Sequence, residues 1–375
     1  MTLKKLINSV LEKRVSWISQ EKARKIRKQV SLLPIDPVLA ERYRKKWSRL
    51  GTIPKKTYLE IFASIFNSAN EDFVPEDLYY NRVEPVLNRK SFALAYADKN
   101  FYERYLSEYR HLFPVTWLRG INGSLFDASF AALPDAGPVL RTMSVDSEYI
   151  LKPASETSGG RKVNKVRKCS RRFRINEMDL SLEEMSGYLR EQYQNNFVLQ
   201  DKISSHPFFS AFNPDSLNTV RIFTYRSIRD ELVHPLQAVL RFGRPGNLVD
   251  NQAAGGRTYG ISTSGSLNRF AIDKWGRRYE AEANHKEMMA FPVPGLTQMK
   301  QIAADIAEKY LFHRLLGFDF CYSDKNEVKL LEINCKNIEI NFLQMNNGPL
   351  FGSFTDEVIE YCSKNKKVVA LDFEI

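Results

Sequence analysis

Acidic and amide side chains near the end of the sequence are arranged as if to hold a divalent cation. The segment from 317 to 334, GFDFCYSDKNEVKLLEIN, alternates apolar and polar residues around a turn at residues 324–327, which predicts a β-hairpin. Such a hairpin would set Asp319 opposite Glu332, with Asn334 two residues further along the same face. Opposed carboxylates destabilise a sheet unless a cation lies between them. Two carboxylates and an amide oxygen suit Mg²⁺, which usually also binds substrate phosphates.

A candidate phosphate-binding loop lies near the middle of the chain. A short apolar strand ends at Lys152 and is followed by the small residues Ser155, Ser158, Gly159 and Gly160. Such a loop exposes successive backbone N–H groups, and glycine permits the close approach that an anion needs. The lysine would add a point charge. Because the spacing is not the Walker pattern, an ordinary surface turn is the alternative interpretation.

Size and composition predict a globular protein. The chain has 375 residues, of which 43% are hydrophobic, with 24 Phe and 17 Tyr, and this length is enough for two or three lobes around a shared site. Its apolar runs are shorter than the ~20 residues of a membrane-spanning helix. No secretion signal is recognised, so we expect a cytoplasmic protein. The four cysteines lack the spacing of zinc sites and do not suggest a disulfide framework.

The formal net charge of +11 is unevenly distributed along the chain. Nine lysines and arginines lie between residues 4 and 28, and five more lie between residues 42 and 49. Apolar residues recur in the same first segment at the spacing of an amphipathic helix, namely Leu3, Leu6, Ile7, Val10 and Leu11. A solvated helix face is the simplest interpretation, and attraction to anionic lipid or to a polyanionic glycan is the second. Nucleic-acid binding comes third, and no specific nucleic acid is expected, because no RNA- or DNA-binding module accompanies the charge.

The order of elements predicts an α+β protein in three parts. Residues 1–90 are expected to be mostly helical, residues 91–200 to carry the phosphate loop, and residues 201–375 to carry the acidic hairpin. Within this order we expect a strand from Ser91 that enters a helix at Asp98, and a long helix from Gln298 to Leu316.

Several of these features, taken in order, resemble the ATP-grasp fold. They are a helix-opening lysine at Lys99, the strand-end Lys152 with its loop, an extended strand from 197 to 203, and the acidic hairpin. The closer similarity is to the sugar-transfer-associated branch of that superfamily, over roughly residues 90 to 352. The strings of that branch are similar to SLNTVRI at 216–222, VDNQAAGG at 249–256 and LLEIN at 330–334.

The resemblance implies two α+β lobes that clamp ATP, with ATP and Mg²⁺ as cofactors and Asp319, Glu332 and Asn334 as the metal ligands. Lys99 and Lys152 would contact the phosphates and the base, residues 155–161 would close over the β- and γ-phosphates as a mobile lid, and residues 200–203 would face the adenine. The residues that the resemblance assigns to the nucleotide are Lys99, Lys152, Ser155, Ser158, Gly159, Gly160, Arg161, Gln200, Asp201, Ile203 and Asn218.

In ATP-grasp enzymes a carboxylate is activated as an acyl phosphate, which an amine then attacks. Arg221 and Arg257 are the candidates for binding the γ-phosphate, the substrate carboxylate or both, since guanidinium makes bidentate contacts to either group. The alternatives are that Arg221 pairs with a surface acid and that Asn218 caps a turn. The sequence departs from the family pattern after Asn334, which leaves the acceptor pocket undefined. It also has Gln200 where an acidic residue is frequent, so contacts to the adenine amino group would rely on backbone carbonyls.

The leading hypothesis is an ATP-dependent carboxylate–amine ligase that forms an amide on a carbohydrate-linked carboxylate in surface polysaccharide assembly. Its partners would be an acidic small molecule or glycan and an amine. The first alternative is a peptide or amino-acid ligase of soluble natural products. The second is a non-catalytic protein that binds polyanions or an anionic membrane surface. Peripheral contact with the inner face of the membrane or with a lipid-linked glycan is compatible with a ligase and with a binding protein.

Overall fold

The computed structural model describes residues 3–155 and 162–365. The helices of these residues are α1 (Leu3–Arg27), α2 (Pro37–Ser48), α3 (Lys56–Phe66), α4 (Glu76–Leu78), α5 (Glu84–Leu87), α6 (Lys90–Tyr96), α7 (Lys99–Tyr105), α8 (Gly137–Thr142), α9 (Leu182–Tyr193), α10 (Pro207–Ser210), α11 (Ala283–Met288), α12 (Leu296–Ala307), α13 (Asn341–Asn347) and α14 (Thr355–Lys364). A π-helical turn spans Tyr79–Val83, and 3₁₀ turns span Ser107–Leu112, Gln252–Ala254 and Gly352–Phe354.

The strands are β1 (Thr116–Ile121), β2 (Ser124–Asp127), β3 (Ala132–Leu133), β4 (Glu148–Pro153), β5 (Asn164–Cys169), β6 (Arg172–Ile175), β7 (Met178–Leu180), β8 (Phe197–Asp201), β9 (Thr219–Arg226), β10 (Val233–Phe242), β11 (Arg257–Ile261), β12 (Leu267–Ile272), β13 (Arg278–Glu280), β14 (Leu315–Tyr322) and β15 (Val328–Asn334). With these helices and two antiparallel sheets, the α+β class predicted from the sequence is confirmed.

The chain divides into two compact units. The first comprises Met1–Ala93, Pro207–Phe320 and Ile333–Ile375, and the second comprises Leu94–His206 and Cys321–Glu332. The boundary therefore runs through the predicted hairpin. The division into residues 1–90, 91–200 and 201–375 stays a prediction.

The N-terminal residues form the helical part of the first unit, as predicted. Tyr43 and Trp47 of α2 and Tyr58 and Phe62 of α3 are buried, and the Trp47 indole N–H donates to the backbone oxygen of Glu71 at 2.9 Å. These aromatic side chains belong to the same hydrophobic core as residues of the first unit's sheet. The N-terminal helices are therefore part of that unit and not an appended arm.

The first unit is built around a sheet in the order β13-β12-β11-β10-β9-β14-β15. Strand β9 lies between β10 and β14 and is antiparallel to both. Its register sets Arg221 opposite Val239 on one side and opposite Asp319 on the other. Because directly opposed residues point to the same face of a sheet, this register decides which polar side chains meet.

The second unit contains a sheet in the order β3-β2-β1-β8-β4-β5-β6-β7. Its core includes Leu118, Leu151, Phe173 and Leu199, all buried. Strand β8 lies between β1 and β4, with Gln200 opposite Thr116 and Ile150. The strand that was predicted to carry the adenine-facing linker is thus central in the sheet.

Helix starts follow the capping residues of the sequence. Asp98 accepts hydrogen bonds from the N–H groups of Asn100 and Phe101 at 2.9 and 3.1 Å, so α7 begins at Lys99 as expected. Ser181 and Glu184 form a reciprocal capping box at the start of α9. Lys99 is therefore the first residue of a helix with a fixed N-terminus.

Two predicted elements differ from the structure. The helix expected from Gln298 to Leu316 ends at Ala307, because the apolar residues from Leu315 onward pair with β9 as strand β14. The strand expected at Ser91 is instead part of helix α6, Lys90–Tyr96. In both places the apolar pattern was too short to distinguish helix from strand.

The predicted hairpin turn is confirmed. Strand β14 ends at Tyr322 and β15 begins at Val328, and the Ser323 N–H donates to the oxygen of Glu327 at 2.9 Å. Among the described residues, no helix has the length and apolar composition needed to cross a membrane.

Candidate active site

Asp319 is the centre of a charged cluster in the first unit. Its carboxylate accepts hydrogen bonds from Nε and Nη2 of Arg221, each at 2.5 Å. The two residues are direct cross-strand neighbours on β14 and β9, so the planar guanidinium meets the carboxylate along both of its oxygens. Such a bidentate pair fixes the orientation of both side chains. Arg221 thus pairs with an acid, but this acid is the buried Asp319, the predicted metal ligand, and not the surface acid of the alternative interpretation.

Arg241 of β10 completes this cluster and was not identified from the sequence. Its Nη1 donates to Asp319 Oδ2 at 2.8 Å, and its Nη2 lies 3.4 Å from Asp250 Oδ1. Asp250 also accepts a hydrogen bond from the Thr219 hydroxyl. Since Thr219 lies opposite Arg241 in the register, the alternation along β9 puts Thr219 and Arg221 on the same face. The cluster therefore alternates two cations and two carboxylates.

The two carboxylates of the cluster differ in their acidity. Burial opposes ionisation of Asp319, but the charges of Arg221 and Arg241 outweigh it and lower the pKa of Asp319 to about 2. At Asp250, burial outweighs Arg241 and raises the pKa. Asp319 is therefore a permanent anion at neutral pH, which is the state in which a carboxylate binds a metal.

Asn334 shares a sheet face with Asp319. A side chain built on Gly317 would lie 3.5 Å from Asn334 Cβ, and Gly317 and Asp319 are two residues apart on β14, so they face the same way. The Asn334 Nδ2 donates to the oxygen of Gly317 at 3.3 Å. Because this hydrogen bond uses the NH₂ group of the Asn334 amide, the amide oxygen Oδ1 is the atom suited to bind a cation.

In the second unit, two lysines lie close to Glu332. Lys99 is buried, and its Nζ lies 3.2 Å from Glu332 Oε1 and 3.5 Å from the oxygen of Ala154. Burial and then the charge of Lys99 lower the pKa of Lys152 to about 8, while Glu332 and Glu103 act in the opposite direction. The structure thus brings together three predicted residues from α7, β4 and β15.

The charge balance of this second cluster favours an anionic ligand. Glu103, the other nearby acid, already binds Arg119 at 2.6 Å. Glu332 is left to oppose both Lys99 and Lys152. Burial first and the charge of Lys99 second disfavour the charged form of Lys152, and a bound phosphate would favour that form.

The residues predicted to read the adenine are engaged within the second unit. Gln200 is buried and donates from Nε2 to Glu103 and to the Thr116 hydroxyl, both at 2.9 Å. Asp201 accepts from the Trp117 indole at 2.6 Å, and Ile203 is half-buried just beyond β8. Their side chains stabilise the sheet, so a contact to the base would come from the backbone at the end of β8.

Part of the predicted phosphate loop lies outside the described residues. Ser155 is exposed directly after β4, whereas Ser158, Gly159, Gly160 and Arg161 fall in the segment 156–161. These four assignments stay predictions.

The structure does not bring Arg257 to Arg221. In the β10–β11 register Arg257 lies opposite Phe242, the residue after Arg241, so Arg257 and Arg241 point to opposite faces of the sheet. The Arg257 guanidinium instead stacks 3.7 Å from the ring centre of Tyr279.

Asn218 serves a loop. It donates from Nδ2 to the backbone oxygens of Phe209 and Asn213 at 2.7 and 2.8 Å, and its Oδ1 accepts from the Ser216 hydroxyl at 2.6 Å. The amide is therefore used within the protein, as the turn-capping alternative requires.

The basic helix α1 contributes a lysine that sequence reasoning did not connect with the site. Lys22 Nζ lies 2.9 Å from Glu76 Oε1 and 2.5 Å from Glu339 Oε1. Burial opposes the ionisation of Glu339, but Lys22 and then Arg221 and Arg241 lower its pKa. Glu339 therefore connects α1 electrostatically with the Asp319 cluster. The only signal in the sequence was that Glu339 follows the string LLEIN by a few residues.

The donor groups fit the cofactors that the fold implies. In the first unit Asp319 supplies an ionised carboxylate and Asn334 an amide oxygen, and in the second unit Glu332 supplies a carboxylate. Each is a hard oxygen ligand of the kind that Mg²⁺ prefers. Lys99 and Lys152 supply the positive charge that nucleotide phosphates require.

Comparison with known proteins gives the family. The sugar-transfer associated ATP-grasp family matches residues 80–358, and no curated protein matches the chain. Among solved structures, the chain is similar to the ATP-grasp ligase PsnB complexed with minimal precursor, Mg and ADP, with 14% identity over 73% of this chain and 60% of that chain and a TM-score of 0.37. The chain thus spans less than two thirds of PsnB.

The chain is also similar to D-alanyl-alanine synthetase A from Vibrio cholerae O1 biovar eltor str. N16961, with 12% identity over 75% of this chain and 67% of that chain and a TM-score of 0.38. A third similarity is to VanG D-Ala:D-Ser ligase from Enterococcus faecalis, with 12% identity over 72% of this chain and 63% of that chain and a TM-score of 0.42. ATP-grasp enzymes use ATP and Mg²⁺ and form ADP. The family match spans well over half of the chain, so the resemblance drawn from its motifs is confirmed, and the protein belongs to the sugar-transfer associated ATP-grasp family.

Proposed function

We propose that the protein is an ADP-forming ligase that joins a carboxylate to an amine through an acyl phosphate. The observation that carries this proposal is the Asp319 cluster, in which the half-buried Arg221 and the buried Arg241 converge on one ionised carboxylate. Phosphoryl transfer to a carboxylate needs little covalent help from the protein and depends on aligning and neutralising anionic groups.

Each cluster has a role in this reaction. Lys99 and Lys152 bind the nucleotide phosphates, and their excess positive charge supports this assignment. Asp319, Glu332 and Asn334 hold Mg²⁺, which when bound neutralises charge on the phosphate oxygens. The backbone at the end of β8 faces the adenine. The family resemblance assigns to residues 155–161, of which 156–161 lie outside the described residues, the role of excluding water from the acyl phosphate, which would otherwise hydrolyse.

The arginines orient the carboxylate substrate. Arg221 binds the substrate carboxylate or the γ-phosphate, and the geometry favours Arg241 rather than Arg257 as its partner, because Arg241 shares the face and the carboxylate. As both guanidiniums are already aligned by Asp319, they need little reorganisation when an anion binds.

The acceptor is a carbohydrate-linked carboxylate of surface polysaccharide assembly. The sugar-transfer association of the family supports the carbohydrate, and the basic N-terminal segment favours an acidic substrate by raising its local concentration. A small-molecule amine supplies the nitrogen. We place the reaction in the cytoplasm.

An assay with the purified full chain tests this function. ATP, Mg²⁺, a uronic-acid glycan and a panel of amines and amino acids are combined, and nucleotide products are separated. ADP and phosphate should accumulate only when both a carboxylate and an amine are present, and AMP with pyrophosphate would exclude the mechanism. Arg221→Gln should abolish turnover. Arg257→Gln is the matched control, because it removes the same group from the other face of the same sheet.

Mass spectrometry of the product then identifies the acceptor. An amide on the glycan supports the proposed substrate. Amino-acid or peptide products formed without the glycan would instead identify a ligase of soluble natural products.

A further inference from the structure

Helix α1 presents a large exposed apolar surface. Leu6, Val10, Trp17 and Ile18 have between 47% and 61% of their surface exposed. In an α-helix residues four, seven and eleven apart lie on the same side, so Leu6, Val10 and Trp17 form one stripe, and Ile18 lies beside it. We call this stripe, with the basic residues along it, the outer face of α1. A tryptophan on such a face is unusual unless something covers it.

The opposite side of α1 is fixed in the first unit. Ala23 and Ile26 are buried in its core, and Glu12 binds Arg82 through two hydrogen bonds of 2.6 and 2.7 Å. The outer face therefore cannot turn inward without breaking these contacts. Its exposure is a property of the folded protein.

The outer face is strongly cationic as well as apolar. Helix α1 contains eight basic residues and two acidic ones. Both acids have partners, since Glu12 binds Arg82 and Glu21 Oε1 lies 2.6 Å from Arg24 Nη1. Lys13 and Arg14 are exposed between Val10 and Trp17, and Arg24, Lys25 and Lys28 are exposed further along.

We propose that the outer face of α1 docks on the surface of an anionic lipid bilayer, with Leu6, Val10, Trp17 and Ile18 in the interfacial region and the basic residues among the headgroups. A helix that lies in the membrane plane combines these two features, an apolar stripe and flanking lysine or arginine. Tryptophan is favoured at the boundary between hydrocarbon and water. Charge complementarity selects anionic lipid, because each lysine or arginine near such a surface strengthens binding. This docking does not depend on the ligase reaction.

Vesicle binding by the full chain tests the proposal. Sedimentation of the protein is measured with vesicles of pure phosphatidylcholine and with vesicles of phosphatidylcholine containing about 30% phosphatidylglycerol. The second composition has about the negative surface potential of a cytoplasmic leaflet. We expect binding to the anionic vesicles that weakens as salt is raised, together with a blue shift of the tryptophan emission. The shift should be lost in Trp17→Phe.

Two variants separate the charged and apolar contributions. Lys13→Gln with Arg14→Gln should lower the partition coefficient by about fivefold per charge, given the strength of a basic residue at an anionic surface. Trp17→Ser with Ile18→Ser should weaken binding at every salt concentration. The matched control is Lys286→Gln with Lys325→Gln, which removes two exposed charges outside α1 and should bind like the wild type.

Several results would overturn the proposal. They are equal binding by the control and the α1 variants, no preference for anionic vesicles, a dimer in solution that is lost in Trp17→Ser, or binding to single-stranded nucleic acid without binding to vesicles. Thermal unfolding of each variant confirms that it is folded. Ligase activity without vesicles should be unchanged in Trp17→Ser with Ile18→Ser, which keeps every charge of α1, so a failure of docking and a failure of the proposed reaction give different results.

Discussion

Asp319 and Arg221 are direct cross-strand neighbours, and their side chains are joined by two hydrogen bonds of 2.5 Å. The carboxylate that is proposed to hold Mg²⁺ thus also aligns the arginine that is proposed to bind the carboxylate substrate. Arg241 reaches the same carboxylate from β10. Metal binding and substrate binding should therefore depend on one another.

We expect Asp319→Asn to affect both stability and catalysis. Removing the charge leaves the buried Arg241 and the half-buried Arg221 without their main anion, which should lower the free energy of unfolding by about 3 kcal/mol. Phosphate release should fall by at least about 10²-fold, as for the loss of one electrostatic stabiliser. Urea unfolding and a phosphate assay measure the two effects.

Asp324→Asn, in the exposed hairpin tip, is the matched control for Asp319→Asn. It should change neither quantity. If both variants were equally stable and active, Asp319 would have no role in the site.

The low pKa of Lys152 predicts a pH dependence of stability. Burial and Lys99 lower this pKa from 10.5 to about 8. Between these two values the unfolded chain holds a proton that the folded chain has lost, so the free energy of unfolding should rise with pH in this window. Below about pH 8 the lysine is charged in both states, and its burial there lowers stability. Urea unfolding from pH 7 to 10 should show a smaller rise in Lys152→Met.

Nucleotide binding should reverse this shift. A phosphate beside Lys152 favours its charged form, so binding of ATP and Mg²⁺ at pH 8.5 should be accompanied by proton uptake. Calorimetry in two buffers of different ionisation enthalpy measures the uptake. Equal uptake by wild type and Lys152→Met would assign the proton to another group.

Removing Lys22 should destabilise the first unit. In Lys22→Gln the buried Glu76 loses its cation, and we expect a loss of about 3 kcal/mol in the free energy of unfolding. Glu339→Gln should cost less, because the Glu339 side chain is 39% exposed. A double-mutant cycle of the two positions measures their coupling. Lys25→Gln, exposed on the same helix, should have no effect, and a comparable loss there would contradict the assignment.

Gln200→Glu tests whether this position contacts the base through its side chain. Gln200 donates to Glu103 at 2.9 Å, so a second carboxylate would replace a hydrogen bond with repulsion and should cost about 1–3 kcal/mol in unfolding free energy. Nucleotide affinity, measured by calorimetry, should not increase. A tighter complex in Gln200→Glu would show that the side chain faces the adenine.

Much of the fold was accessible from the sequence because the informative patterns are local. The hairpin turn at residues 324–327 and the helix start at Asp98 each depend on a few consecutive residues, and both agree with the structure. The family follows from short strings in a fixed order, and it is confirmed.

The missed residues depend on long-range pairing. Arg241 meets Asp319 only because β9 lies between β10 and β14, and strand order is not visible in either strand alone. Arg257 was expected to act together with Arg221. In the structure Arg257 lies opposite Phe242, the residue after Arg241, so its side chain points to the other face of the sheet. The pairing of Lys22 with Glu339 joins residues 317 positions apart, and no local pattern predicts such a contact.

The first unit combines segments that lie far apart in the sequence, and this affects when it can fold during synthesis of the protein. Its helices α1 to α3 share a core with β9, β10 and the helices α13 and α14, so a nascent chain that has only its first hundred residues outside the ribosome lacks the surfaces those helices must cover. Until the last third is translated, the aromatic side chains of α2 and α3 remain open to chaperones and to aggregation. Folding of this unit is therefore expected to be slow, as for other topologies dominated by contacts between distant residues.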